Sequence, residues 1–136
     1  MPTLISNTVG MLLAIGIGLS SGYLYAQEVG KSKELSPGRV RKNFGERPSN
    51  IPGFEKVRVV EDTIQSGASW KTEKMPVPMY CTLLKGELTG VVDGVKVVRK
   101  AGDSWECKVG QKTETKSTGS EPAVMRMHHL LKAGDK

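Results

Sequence analysis

From Pro2 to Gln27 the chain carries no charged side chain, and this run restricts its architecture more than any other feature. A stretch of this length and apolarity can cross a bilayer as one α-helix. Gly10, Ala14, Gly18, Gly22 and Ala26 recur within it at four-residue spacing, and residues four apart stack on one helix face. The outcome is a smooth stripe of small side chains. In lipid no hydrophobic force draws helices together, and close backbone approach along such stripes is one of the few attractions that does. Residues 1–26 are therefore expected to form a retained transmembrane helix, with Gly10, Ala14, Gly18 and Gly22 packed against a membrane partner. The competing reading is a signal peptide cut before Gln27. No Lys or Arg precedes the apolar run, Leu24 is large for its place before the cut, and the run is long for a signal.

Every Lys and Arg lies after this segment, and the formal net charge is +6. That balance suits anionic headgroups or an acidic protein surface. Two Trp, three Tyr and two Phe supply a poor stacking platform for single-stranded nucleic acid, so membrane lipid and protein are the expected partners and nucleic acid is not. The positive-inside rule would put the basic residues after the helix in the cytoplasm. The likeness of the segment to an export signal argues for the other side, and a single-pass inner-membrane protein with a periplasmic domain is expected.

Residues 27–53 show little apolar periodicity; Pro37, Pro48 and Pro52 and Gly30, Gly38 and Gly45 interrupt charges of both signs. Such a composition buries too little surface to fold alone. An extended basic linker is expected, either a tether or a strap whose Arg39, Arg41, Lys42 and Arg47 meet acidic groups of a neighbour.

After Phe54 the texture becomes one of short strands and turns, so residues 54–136 are expected to fold as one all-β domain. Lys56–Glu61, Pro78–Leu84 and Gly90–Arg99 suit pleated surfaces. Asp93-Gly94 is a strong hairpin signal. Gly102-Asp103, Gly110 and Ser117–Ser120 mark further reversals, and Ala123–Leu131 reads as the last apolar strand. Strands at this spacing without a helical period mean a sandwich or barrel.

Within this domain Met75-Pro76-Val77-Pro78-Met79-Tyr80, Leu83-Leu84-Lys85-Gly86-Glu87-Leu88-Thr89, Lys100-Ala101-Gly102-Asp103 and Ser117-Thr118-Gly119-Ser120-Glu121-Pro122-Ala123 resemble the cupin superfamily, and most of all its small exported bacterial members. The resemblance covers about residues 54–132 and implies a cupin-like jelly-roll barrel of six to eight strands. Cupins that are active usually hold a metal with two His one residue apart, then a Glu, then a later His. Laid onto this chain, the pair falls on Glu73 and Met75, or on Lys71 and Glu73; the Glu falls on Met79 or Tyr80, and the later His on Thr113. The resemblance therefore implies a degenerate site, with Glu73, Met75, Met79 and Thr113 at the ligand positions, and no metal or other cofactor is expected there.

Met75, Met79, Cys81, Cys107, His128 and His129 are soft or borderline ligands that copper accepts; core packing is the plainer use of Met and Cys. Met79 and Cys81 share a strand face, whereas His128 and His129, being adjacent, do not. Cys81 and Cys107 lie 26 apart in number, as a disulfide or as two free thiols. Glu73 and Glu114 could work as acid and base, with Tyr80 as an alternative, although lysines surround both carboxylates. Trp70 and Trp105 would line a pocket, plug the barrel or pack at an interface. No nucleophile elbow, phosphate loop or His-Glu-x-x-His is present.

The expected function is that of a non-catalytic accessory subunit, anchored by its helix and stabilising a large photosynthetic or respiratory membrane complex. The alternatives are an anchored barrel that holds a small apolar ligand or copper, and a metal-free cupin enzyme.

Overall fold

Val60, Asp62 and Ile64 are buried while the residues between them are half-exposed, and this period of two turns one face of Lys56–Ile64 toward a core. The same alternation recurs along the chain. The computed structural model describes residues 29–136; the expected transmembrane helix, with Gly10, Ala14, Gly18 and Gly22, lies outside the described residues. Ten strands follow: β1 (Ser32–Ser36), β2 (Arg39–Pro48), β3 (Lys56–Ile64), β4 (Ser69–Thr72), β5 (Met79–Lys85), β6 (Glu87–Val92), β7 (Val95–Lys100), β8 (Ser104–Cys107), β9 (Thr113–Ser117) and β10 (Ala123–Leu131). Among the described residues no helix is long and apolar enough to cross a membrane.

All pairing is antiparallel. A six-stranded sheet in the order β1-β2-β3-β10-β5-β8 faces a four-stranded sheet in the order β4-β9-β6-β7. The expected all-β architecture is present, and its two sheets enclose the core as in a jelly roll. Ile64 and Leu83 from one sheet and Leu88 from the other are the largest apolar side chains sealed from solvent. Asp93-Gly94 makes the two-residue turn between β6 and β7, with Val92 opposite Val95 and both turn residues at positive φ, the conformation a tight hairpin requires. In β6, a side chain at Gly90 would place its Cβ against the Glu114 carbonyl of β9, so only glycine lets the two strands approach this closely.

The segment expected to be a linker is part of the barrel. Ser32–Ser36 and Arg39–Pro48 form a hairpin, and β2 pairs with β3 along most of its length. The reason lies in what faces inward. Arg39 and Arg41, not aliphatic residues, hold the inward positions of β2, and a buried carboxylate on β3 neutralises them; the alternation is written in charge, where a search for apolar periodicity finds nothing. A bulge between Asn43 and Glu46 then shifts the register. The Gly45 N–H is held by the Asn43 side chain at 2.8 Å, and Gly45 has a φ of 93°. Beyond the bulge Glu46 accepts from Arg58 at 2.7 Å and pairs with Lys56 at 3.3 Å, which ties the far end of the hairpin to β3.

Candidate functional site

The two sheets leave an open cavity of about 480 Å³ between them. At one end, β2 and β3 bring Arg39 and Arg41 onto Asp62. Asp62 is fully buried, at 0 % exposure. Arg39 Nε donates to Asp62 Oδ2 at 2.8 Å, and Arg41 donates through Nε to Oδ1 at 2.7 Å and through Nη2 to Oδ2 at 3.0 Å. Arg39 also lies over the Trp70 ring, 4.2 Å from its centroid, a geometry in which the ring quadrupole attracts the cation. Burial draws the Arg39 guanidinium below its ordinary pKa against the pull of Asp62. Two cations thus share one anion in a dry setting, which leaves this end of the cavity positive.

The other end is built by β5, β7 and β8. Arg99 lies 4.8 Å over the Trp105 ring and has no carboxylate partner among the described residues. Cys81 and Cys107 project beside it as free, buried thiols, their sulfurs 3.7 Å apart. Between the two ends Met75, Met79, Met125 and Met127 contribute to the wall, adaptable apolar side chains that conform to irregular ligands. His129 is on the same wall. Burial foremost, then the fields of Arg41 and Arg58, lower its pKa to about 4, so it is neutral at pH 7. Its Nε2 is buried with no hydrogen-bond partner.

Several expected roles change at this point. Arg39 and Arg41, expected on a partner surface, are turned into the barrel; Lys42 and Arg47 are exposed, Lys42 standing 5.2 Å over the Phe44 ring. Of the four degenerate ligand positions, Met75, Met79 and Thr113 line the cavity, whereas Glu73 is exposed and does not. Two thioethers and one hydroxyl beside three guanidiniums do not make a site for a borderline dication. The His and Glu metal centre that a cupin barrel implies does not fit these residues. Glu114 pairs with Lys71 at 2.7 Å with both side chains exposed, so neither it nor Glu73 can serve as acid or base inside the barrel. Tyr80, 55 % exposed, points outward too. Trp70 and Trp105 are cavity walls. His128 and His129 face opposite sides, only His129 being buried.

The residues missed in the sequence are Asp62 and Arg99. A signal for Asp62 was present: it shares inward parity with Val60 and Ile64, and Arg39-x-Arg41 repeats with the same period. Nothing comparable marks Arg99, whose place depends on how β7 closes over β8.

No family model matches the sequence, nor does any curated protein. Solved structures do match. An RmlC-like cupin from Shewanella frigidimarina NCIMB 400 superposes with a TM-score of 0.60 at 17 % identity, over 78 % of this chain and 87 % of that one. KdgF from Halomonas sp. gives 0.60 at 13 % identity, over 76 % and 88 %. The cupin domain of Schizosaccharomyces pombe Cnp3 gives 0.58 at 13 %, over 75 % and 69 %. The barrel has the cupin fold. At these identities the likeness is one of architecture, and a cupin fold hosts unrelated functions; what this cupin barrel does has to come from its cavity.

Proposed function

We propose that the chain is a binding protein whose cupin barrel takes a small organic anion with an apolar body. The observation that carries this reading is Arg99: a cation with no carboxylate ion-pair partner among the described residues, stacked on Trp105, on the wall of a cavity that four methionines also line. A site with an apolar lining and a few convergent polar groups is the usual form of a small-molecule pocket. Guanidinium groups recognise carboxylates through paired N–H donors. Arg39 and Arg41 supply further positive potential from the opposite end, held in place by Asp62. We read the role as binding without turnover, because the carboxylates and the tyrosine considered as acid or base lie outside the cavity.

Anchorage and assembly remain part of the proposal at a different level. The small-residue stripe of residues 1–26 would set where the barrel works, at a membrane or on a larger complex. Lys42 and Arg47 are the exposed basic residues left for contact with a neighbour. Two of the four contact residues expected for that role are occupied inside the barrel, so the cavity carries the function and the stripe its location.

The test is calorimetric titration of the full-length chain with hexanoate and with hexanamide, which match in shape and differ in charge. Hexanoate should bind at one site and hexanamide about tenfold or more weakly, as expected for a charge-assisted contact. Arg99→Gln should remove the difference. Equal affinity for the two compounds, or no binding of either, overturns the reading.

A further inference from the structure

The anion reading leaves the two buried thiols without a task. We propose that Cys81, Cys107 and Met79 form a binding site for a cuprous ion on the inner face of the six-stranded sheet.

The spacing of the thiols comes first. Their sulfurs are 3.7 Å apart. A disulfide requires a separation of about 2.0 Å, whereas two sulfurs on one metal with bonds of about 2.3 Å stand roughly 3.8 Å apart in tetrahedral geometry and about 4.0 Å apart in trigonal. The register agrees. Met79 is opposite Cys107, and Cys81 is opposite Trp105, so the two cysteines are diagonal neighbours. Diagonal positions in an antiparallel pair stand about 7–8 Å apart, beyond the Cα range of a relaxed disulfide. A bridging ion spans that gap; a sulfur–sulfur bond does so only with strain.

The third donor selects the metal. Met79 has the same inward parity as Cys81, sits directly across from Cys107, and lines the same cavity. Among the described residues no group of three or more His, Cys, Asp and Glu converges, which disfavours zinc, since zinc takes its donors from that set. Thiolate with thioether is the donor combination that suits Cu(I).

Charge points the same way. Uptake replaces two thiol protons, Cu⁺ + 2 RSH → [Cu(SR)₂]⁻ + 2 H⁺, with no electron transferred. The product is an anion, and Arg99 on Trp105 is the cation near it. The guanidiniums that disfavour a dication on neutral donors favour this anionic complex.

The experiment is anaerobic titration of the reduced full-length chain with Cu(I) in competition with bicinchoninate. The chain should withdraw one equivalent of copper and release two protons per ion. Cys81→Ser and Cys107→Ser should each weaken retention by about 100-fold or more, and Met79→Leu by about tenfold. Met79→Leu conserves volume and so decides the matter should a cysteine variant not fold. No withdrawal of copper overturns the proposal, as does retention unchanged in Met79→Leu. Uptake that persists in the Cys81→Ser/Cys107→Ser double variant places the copper elsewhere and overturns it too.

Discussion

Asp62 shows how one residue organises this barrel. Its carboxylate has 0 % exposure and binds two guanidiniums, and the energetics of such a group are asymmetric. A complete buried ion cluster adds modest stability, but removing one partner leaves buried charge uncompensated, at about 3–5 kcal/mol. Asp62→Ala should therefore lower the unfolding free energy read from urea denaturation by that amount, whereas Lys42→Ala on the outer face of the same hairpin should change it by less than about 0.5 kcal/mol. His129 gives a second prediction, in pH. Its folded pKa of about 4 lies below the ordinary 6.5, so the unfolded chain takes up its proton first as pH falls. Its contribution is present in full above pH 6.5 and is lost as pH drops toward 4. At about 1.4 kcal/mol per pKa unit the loss is on the order of 3 kcal/mol. Chemical denaturation between pH 7 and 4 should show this decline, and His129→Leu should flatten it.

At the scale of elements, the hairpin β1–β2 is the part that matters most to where the domain begins. Without it β3 would become an edge strand, and Asp62 would lose both of its cations. A chain beginning at Phe54 should accordingly show no cooperative thermal unfolding, while the chain beginning at Val29 should; circular dichroism melts distinguish them. The reverse result would make the hairpin an accessory. Much of the remainder was legible in the sequence, because each signal had a local cause. Asp93-Gly94 dictates its own turn, and Ala123–Leu131 carries an apolar alternation that fits a central strand, as β10 is, between β3 and β5. Residues 32–48 were not legible by the same means. Their inward positions are charged, and charge at such positions becomes a strand signal only when Asp62, on another segment, is matched to it. Arg99 and the thiol pair were less legible still, since their proximity is set by the closure of β7 and β8 over β5.

At the scale of the molecule, the cavity has two charged ends and a sulfur-rich middle. An arginine is stacked on a tryptophan at each end, Arg39 on Trp70 at 4.2 Å and Arg99 on Trp105 at 4.8 Å. Both cations are held by ring faces, and Arg39 also by Asp62, so little reorganisation is needed when an anion arrives. The methionines between them give the wall apolar area without a fixed shape. This division of labour is the basis of the proposed binding of organic anions, and methionine offers the most direct test of it. Of the 6 methionines in the chain, Met75, Met79, Met125 and Met127 line the cavity, while Met1 and Met11 lie in the apolar N-terminal run. With ¹³C-labelled methionine methyl groups, titration of the full-length chain with hexanoate should shift the signals of those four, saturably and together, and leave Met1 and Met11 in place. If the four signals stay still while hexanoate binds, or if they do not respond at any concentration, the cavity is not the binding site and the account is wrong.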